Sequence, residues 1–533
     1  MKVQVREVQF GVGGAFLVGA RSLKGDGGVF FGGCPFVWEG GGRCFFSLRW
    51  GCENKQRSVA YLGEEEDNRQ RNMTIEGECG VSTAMESKKT NSIDMLHGPL
   101  AKKIVLFSIP LAITSILQQL LNSTDAVFAG QWLGSDALAA VGGVAPIISL
   151  FVAVFVGLSV GVNVVIAVHI GHDDIDKIRG AVQTSAAAAV VCSLVLAVAG
   201  VLSTDFILAA VNMPAEAWAE GAQYLHVYFI GIVFLVIYNF GSAVLRAKGD
   251  TWRPLYALAV AAVLNIAFDY VAVEFLGLGV FGIAVGTVIA DAVCAAVIVF
   301  FLLTEEESYR LELKDFRVVG IDLKTLMHIG LPAALQGAVF ALSNIIIQGE
   351  INSFGADATA GSSAAMNFEF YTYFFVNAFS QAAVTFIGQN YAAGQYERCD
   401  KVMKFCMAAS FVSTLALSLL FTLGGDLFLG IFTAEAGALS FAYIRLWHVE
   451  LFEFMPCLYE VAASGMRGMG WSVLPTIVVI VGSCLLRIVY VFTLFPLIRS
   501  FENLMLIYPV TWIVTGATMI ALYFYARKKS YGR

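Results

Sequence analysis

Residues 254–291 read PLYALAVAAVLNIAFDYVAVEFLGLGVFGIAVGTVIAD, two hydrophobic runs that carry almost nothing polar apart from Asn265, Asp269, Thr287 and Asp291. Each run is long enough to cross a hydrocarbon core of about 30 Å at about 1.5 Å per residue. A carboxylate in such a helix costs several kcal/mol unless something pairs with it, so a span that keeps one has a use for it. Asn265 and Asp269 are four residues apart, which puts both side chains on one helix face with their oxygens converging. This is the pattern of a small-cation or proton site. Asp291 follows Thr287 by one turn on the same face.

The rest of the chain has the same character. Of 533 residues, 58% are hydrophobic and 14% charged, and the mean hydropathy is +0.73. Soluble domains carry about 25% charged residues and lack apolar runs of about 20, so the chain is an integral membrane protein. In such a chain the net charge of -7 says little about nucleic acid, and no basic patch with interleaved aromatics appears, so no nucleic-acid partner is expected. Ten cysteines show no metal-finger or redox spacing, and the last six fall in apolar segments as small core residues. No G-x-x-x-x-G-K-[ST], H-E-x-x-H or G-x-S-x-G occurs, so neither nucleotide-driven pumping nor hydrolysis is indicated, and the chain reads as a non-enzyme.

Twelve apolar stretches follow one another from about residue 100: 104–130, 137–168, 177–201, 222–246, 253–275, 280–303, 323–350, 358–389, 400–423, 440–465, 471–495 and 504–526. Under that count the loops on one side collect 19 Lys and Arg residues and those on the other only Arg499. The bias predicts both termini in the cytoplasm of a multi-pass plasma-membrane protein. Residues 1–94, rich in Gly (GVGG, GGVFFGGC, EGGGRC), are expected to be disordered or a product of start-site choice, with translation beginning near Met73, Met85 or Met95.

The two halves repeat. RAKGDTWRP at Arg246–Pro254 and RGMGWSVLP at Arg467–Pro475 share R-x-x-G-x-x-x-x-P at an offset of 221, as do Tyr238 and Tyr459; Pro110 and Pro332, and Asn122 and Asn344, recur at 222. Six spans per repeat leave both halves in the same orientation, related by an axis along the membrane normal. The expected organisation is a first lobe at 97–303, an acidic cytoplasmic linker at 304–322, a second lobe at 323–527 and a basic tail at 528–533.

Depths along the spans gather the polar set. Below the outer ends of their helices, Asp125 lies about 8 Å, Asp269 about 9 Å, Thr287 about 10 Å, Asn265 about 15 Å and Asp291 about 16 Å. Single Asn or Asp residues also serve as interhelical glue worth about 1 kcal/mol; two carboxylates that repel when charged fit glue poorly and a shared proton or metal ion well. The repeat positions are Ile347, Leu486 and Tyr490 in place of Asp125, Asn265 and Asp269, so a symmetric scaffold carries an asymmetric site. In the second half Glu369, Glu450, Glu453, Arg445 and Arg487 are the polar residues. Arg487 is expected to pair with Glu450 or Glu369; in the other reading the glutamates, with Tyr373 and neighbouring aromatics, line a central cavity for lipophilic cations.

LRAKGDTWRPLYALAVAAVLNIAFDYVAV, IPLAITSILQQLLNSTDAVFAGQWLG, IGQNYAAGQYER and SGMRGMGWSVLP together resemble the multidrug and toxic compound extrusion (MATE) family over residues 97–527. The resemblance implies an all-α fold of two six-helix lobes and antiport of organic cations against sodium ions or protons by rocking between outward- and inward-open states; a monomer is expected. In one branch a cation site uses an Asp in span one, an Asn and an Asp in span five and a Thr in span six, which match Asp125, Asn265, Asp269 and Thr287. Another branch has an acidic residue where Phe340 stands. A flippase for a lipid-linked cell-envelope precursor would share the architecture but is expected to need more cavity cations than Arg445 and Arg487. A receptor or scaffold without transport is opposed by the repeat and the buried carboxylates.

Overall fold

The structure, a computed structural model, describes residues 92–533 apart from 212, 306–307, 313, 315–316, 431–434 and 533, together with four short strands between residues 29 and 63. Two units are distinguished, Met1–Thr90 and Asn91–Arg533. In the first, β1 (Val29–Phe31), β2 (Cys34–Glu39), β3 (Arg43–Phe46) and β4 (Tyr61–Gly63) pair antiparallel in chain order. The expectation for 1–94 otherwise falls on residues outside the description.

The second unit is all helix and makes twelve passes. α1 (Leu100–Phe128), α2 (Ser135–Gly171), α3 (Ile175–Ala210), α4 (Ala215–Lys248), α5 (Trp252–Tyr270) and α6 (Gly279–Leu303) form the first half. α7 (Gly320–Asn352), α8 (Ala356–Ala392) and α9 (Tyr396–Leu423) open the second, followed by a short α10 (Gly425–Leu429). The tenth pass is α11 (Ala436–His448) plus α12 (Cys457–Gly468), the eleventh α13 (Val473–Val479) plus α14 (Leu486–Thr493), and the twelfth α15 (Phe501–Ser530). Ten of the passes are continuous and apolar enough to span by composition alone; α8 and α11–α12 carry the glutamates instead.

The repeat is visible in the turns. Gly134 and Gly355 both have φ 101°, Gly249 and Gly470 have φ 100° and 88°, and Asp173, at φ 54°, is matched by Gly394 at 72°. All three pairs are 221 apart. The tenth pass departs from the continuous helix expected at 440–465. Pro456 has no N–H to extend a helix through it, and the chain leaves α11 through a 3₁₀ turn at Glu450–Phe452 before α12 resumes.

The two hydrophobic cores do not part neatly at the linker. Phe128 and Ala129 at the end of α1 lie in the first core, whereas Ile104, Phe107 and Leu111 at its start lie in the second. α7 does the reverse, with Leu326 and Ala334 in the first core and Ile347 and Ile351 in the second. The lobes therefore exchange one half-helix each, and Pro110 and Pro332 sit inside the exchanged helices.

Contact between lobes is tightest along the second half of α2. A Cβ on Gly161 would lie 2.3 Å from the Leu326 carbonyl oxygen and one on Gly171 2.3 Å from that of Gln389, so only glycine admits α7 and α8 at this distance. Thr385 donates to Asn163 Oδ1 at 3.0 Å, two residues 222 apart meeting across the interface, and Gln389 Nε2 donates to the Ala247 carbonyl at 2.6 Å. At the same basic-loop end Arg253 bonds Asp250 and Glu305, and Lys248 also reaches Glu305. Burial opposes ionisation of Glu305, yet these two cations hold its carboxyl below the ordinary range.

Candidate cation site

Four helices of the first lobe converge on Asp125. The residue is buried near the end of α1, and its Oδ2 accepts from the Tyr224 hydroxyl of α4 at 3.0 Å and from Thr287 Oγ1 of α6 at 2.9 Å. Asn265 Nδ2 of α5 donates to Thr287 Oγ1 at 3.3 Å. The Thr287 hydroxyl also lies 3.1 Å from the Ile283 carbonyl; with one proton to give, it serves Asp125 or its own helix at any moment. Asp269, one turn beyond Asn265 on α5, is fully buried, and its charge acts on that of Asp125.

With both carboxyls ionised, three oxygens at this point have no hydrogen-bond donor, Asp269 Oδ1, Asp269 Oδ2 and Asn265 Oδ1, and a proton on either aspartate would be shared between Asp269 and Asp125. A buried acceptor left unpaired costs about 1–3 kcal/mol, more when charged. Among the described residues no Lys or Arg pairs with Asp125, Asp269 or Asp291. The orphaned oxygens and the absence of a fixed counter-charge fit a bound cation. Hard oxygen donors suit sodium or a proton, and no group of three His, Cys, Asp or Glu side chains converges here as a transition-metal site would need.

The backbone is shaped to the site. α1 passes into a π-turn at Ala129–Leu133 and α5 into another at Val271–Phe275, both within one turn of the aspartates; such turns bring carbonyls out of register. Against Asp269 stands Gly286 of α6, where a Cβ would lie 2.4 Å from Asp269 Oδ1. The absence of that carbon is what lets Asp269 Oδ1 come this close to the α6 backbone.

Asp125, Asn265, Asp269 and Thr287, singled out by spacing and depth, thus occupy one place. Asp291 does not join their hydrogen-bond network. It is half-buried one turn farther along α6, within electrostatic reach of Asp125. Tyr224 and Gly286 carry no signal in the sequence: a tyrosine and a glycine in apolar spans do not stand out as polar residues.

The second lobe corrects one expectation. Arg487 does not pair with Glu450 or Glu369; Arg445 pairs with Glu369, through Nε–Oε1 at 2.5 Å and Nη2–Oε2 at 2.8 Å, and its Nη1 donates to Ser362 Oγ at 2.6 Å. The break after α11 moves Glu450 off the helical register on which its expected pairing rested, while Glu369, on the continuous α8, is taken by Arg445. Arg487 instead lies 4.4 Å from the Tyr508 ring centre, with Phe340 and Trp512 at 5.6 and 5.8 Å, and donates from Nε to Thr511. Glu450 accepts from Thr372 at 2.7 Å, Glu453 is buried beside it, and Tyr373 packs against the second core.

Comparison with known proteins agrees with this architecture. A family model described as MatE matches residues 110–271 and 332–493, two segments displaced by 222. The chain is 25% identical over 388 residues to "Probable multidrug resistance protein YoeA" of Bacillus subtilis, covering 71% of this chain and 83% of that one. It is 23% identical over 383 residues to "Probable multidrug resistance protein NorM" of Thermotoga maritima, covering 71% and 82%. A solved structure, the outward-facing conformation of a multidrug resistance MATE family transporter, superposes with a TM-score of 0.77 at 21% identity, over 83% of this chain and 99% of that chain.

Proposed function

We propose, from the premise that the chain belongs to the MatE family, that it exports lipophilic organic cations in exchange for a sodium ion or proton taken at Asp125, Asn265, Asp269 and Thr287. It is a multi-pass membrane transporter and not an enzyme. The observation that carries the coupling role is the set of orphaned oxygens on Asp269 and Asn265 beside the Asp125 carboxyl, with no Lys or Arg pairing with them. A coupling ion entering from outside supplies the missing positive charge. Its departure restores repulsion between the two aspartates, and that difference biases the lobes between their two arrangements. The positive-inside bias supports both termini in the cytoplasm and an outer-side site in the plasma membrane; the protein acts as a monomer.

Cargo is read from the second lobe. Glu450 and Glu453 are buried acidic groups that no Lys or Arg among the described residues hydrogen-bonds, and Glu450 Oε2 has no partner, which supports organic cations. The flippase reading is not favoured: Arg445 is neutralised by Glu369, and Arg487 is enclosed by aromatic rings. The test is export of a fluorescent cation from proteoliposomes, with sodium and pH gradients imposed separately. One gradient is expected to drive export and Asp125→Asn or Asp269→Asn to abolish that drive. Wild-type rates in both variants would overturn the coupling role.

A further inference from the structure

Between α9, α12 and α15 the second lobe has a groove of about 560 Å³. Its walls are apolar, among them Met407, Phe411, Val412 and Phe524, and Val412 and Phe524 are 65% and 59% exposed. From Asp400 to Val412 it follows α9 for about 18 Å, close to the depth of one leaflet of a bilayer about 30 Å thick. Its polar end lies on the basic-loop side. There Asp400 holds Arg527 in a two-point bond at 2.7 and 2.5 Å, while Lys404 is exposed and has no ion pair or hydrogen bond among the described residues. Lys401 and Lys528 are exposed nearby, so the mouth is net positive.

We propose that this groove binds an anionic phospholipid of the cytoplasmic leaflet, one acyl chain along α9 and the phosphate at Lys404. A basic mouth on an intramembrane groove matches that lipid at both ends. The test uses the full chain in mixed phosphatidylglycerol and phosphatidylcholine, purified, with retained lipid measured by mass spectrometry. Wild type is expected to enrich phosphatidylglycerol. Lys404→Glu should lower the enrichment by about fivefold or more, and Val412→Trp should displace both lipids. Equal retention of the two lipids by wild type, or undiminished enrichment in Lys404→Glu, overturns the proposal; Lys404→Gln repeats the test if the charge reversal lowers the yield of folded protein.

At the same end of the molecule residues 93–98 run across both lobes. The Ile93 N–H donates to the Gly249 carbonyl of the first lobe at 3.0 Å, so closely that a Cβ on Gly249 would lie 2.4 Å from the Ile93 oxygen. Met95 is buried in the second core. Its carbonyl accepts from Asn390 Nδ2 at 3.1 Å and from Arg398 Nε and Nη2 at 3.2 Å each, and Arg398 also takes the carbonyls of His97 and Gly98 at 3.0 Å. One guanidinium thus holds three carbonyls of a strap whose other end is fixed to the opposite lobe.

We infer that the strap is a clasp holding the cytoplasmic side closed, released whenever the lobes part there. The inference rests on the transporter reading. Its test is labelling of Val164→Cys, buried at the lobe interface, by a thiol reagent applied to the cytoplasmic side, with dye export measured in the same vesicles. Arg398→Ala at one end and Gly249→Ala at the other are each expected to speed labelling about fivefold, and Asn390→Ala less. Unchanged labelling in variants that still export overturns the clasp. Absence of export by the unmodified protein overturns the transporter reading instead.

Discussion

The first lobe buries Asp125 and Asp269, with Asp291 half-buried beyond them, and gives them hydroxyl and amide neighbours but no fixed positive charge. The second buries Glu369, Glu450 and Glu453 and brings Arg445 into a two-point bond with Glu369. The helices correspond by an internal repeat, and the two lobes differ in how their buried charge is compensated as well as in the break of the tenth pass. A carboxylate with a resident guanidinium is permanently compensated. Asp125 and Asp269 lack one among the described residues, and a cation that arrives and leaves would compensate them, as the proposed coupling role requires. The contrast supports a structural role for the Arg445 pair and the ion exchange proposed for the Asp125 group.

The most damaging single change should be at the compensated pair. Glu369→Gln leaves Arg445 buried without its counter-ion, which costs about 3–5 kcal/mol. Thermal melting of the purified protein should fall accordingly, while the double change Glu369→Leu with Arg445→Met should recover most of the loss. A melting point unaffected by Glu369→Gln would break the contrast from the second-lobe side.

Next in size is Asp269→Asn. Removing one of two repelling carboxylates should leave melting unchanged or raised, yet reduce gradient-driven export by about a hundredfold, equivalent to about 2.7 kcal/mol. The opposed signs separate a coupling carboxylate from a structural one. Gly286→Ala should follow: the new carbon meets Asp269 Oδ1 at 2.4 Å, so the carboxyl must move. About a tenfold rise in the ion concentration for half-maximal export is expected, with the maximal rate nearly retained.

How far the sequence reaches is instructive here. Twelve passes could be counted because each must satisfy its backbone internally and span a fixed thickness. The site could be assembled because depth along a straight helix is arithmetic, and α1, α5 and α6 hold their register up to Asp125, Asp269 and Thr287. The same arithmetic fails for the expected pairing of Arg487 with Glu450 or Glu369: the helix breaks at Glu450 before Pro456, and Arg445 takes Glu369. Gly286 acts by lacking an atom, and Tyr224 comes from a helix whose other residues gave no hint of the site. The exchange of half-helices by α1 and α7 depends on packing between distant segments, which spacing along one helix does not encode.

The smallest effect offers the sharpest comparison, because the two lobes each present one threonine hydroxyl to a buried carboxylate. Thr287 Oγ1 lies 2.9 Å from Asp125 Oδ2, and Thr372 Oγ1 2.7 Å from Glu450 Oε1. Valine has nearly the same shape and no hydroxyl, so each Thr→Val change removes one donor to a carboxylate, worth about 1.5–3 kcal/mol when the acceptor is charged. At Thr287 the loss also strands Asn265 Nδ2 and removes an oxygen from the ion's surroundings. Apparent ion affinity in vesicle export should therefore drop about fivefold to tenfold, with Thr287→Ser within about twofold of wild type. At Thr372 the same substitution should lower the melting point and leave ion affinity where it was, since no exchanging cation depends on that oxygen. If both valines shifted ion affinity alike, the second-lobe carboxylates would belong to the coupling machinery and the division of labour between lobes would fail.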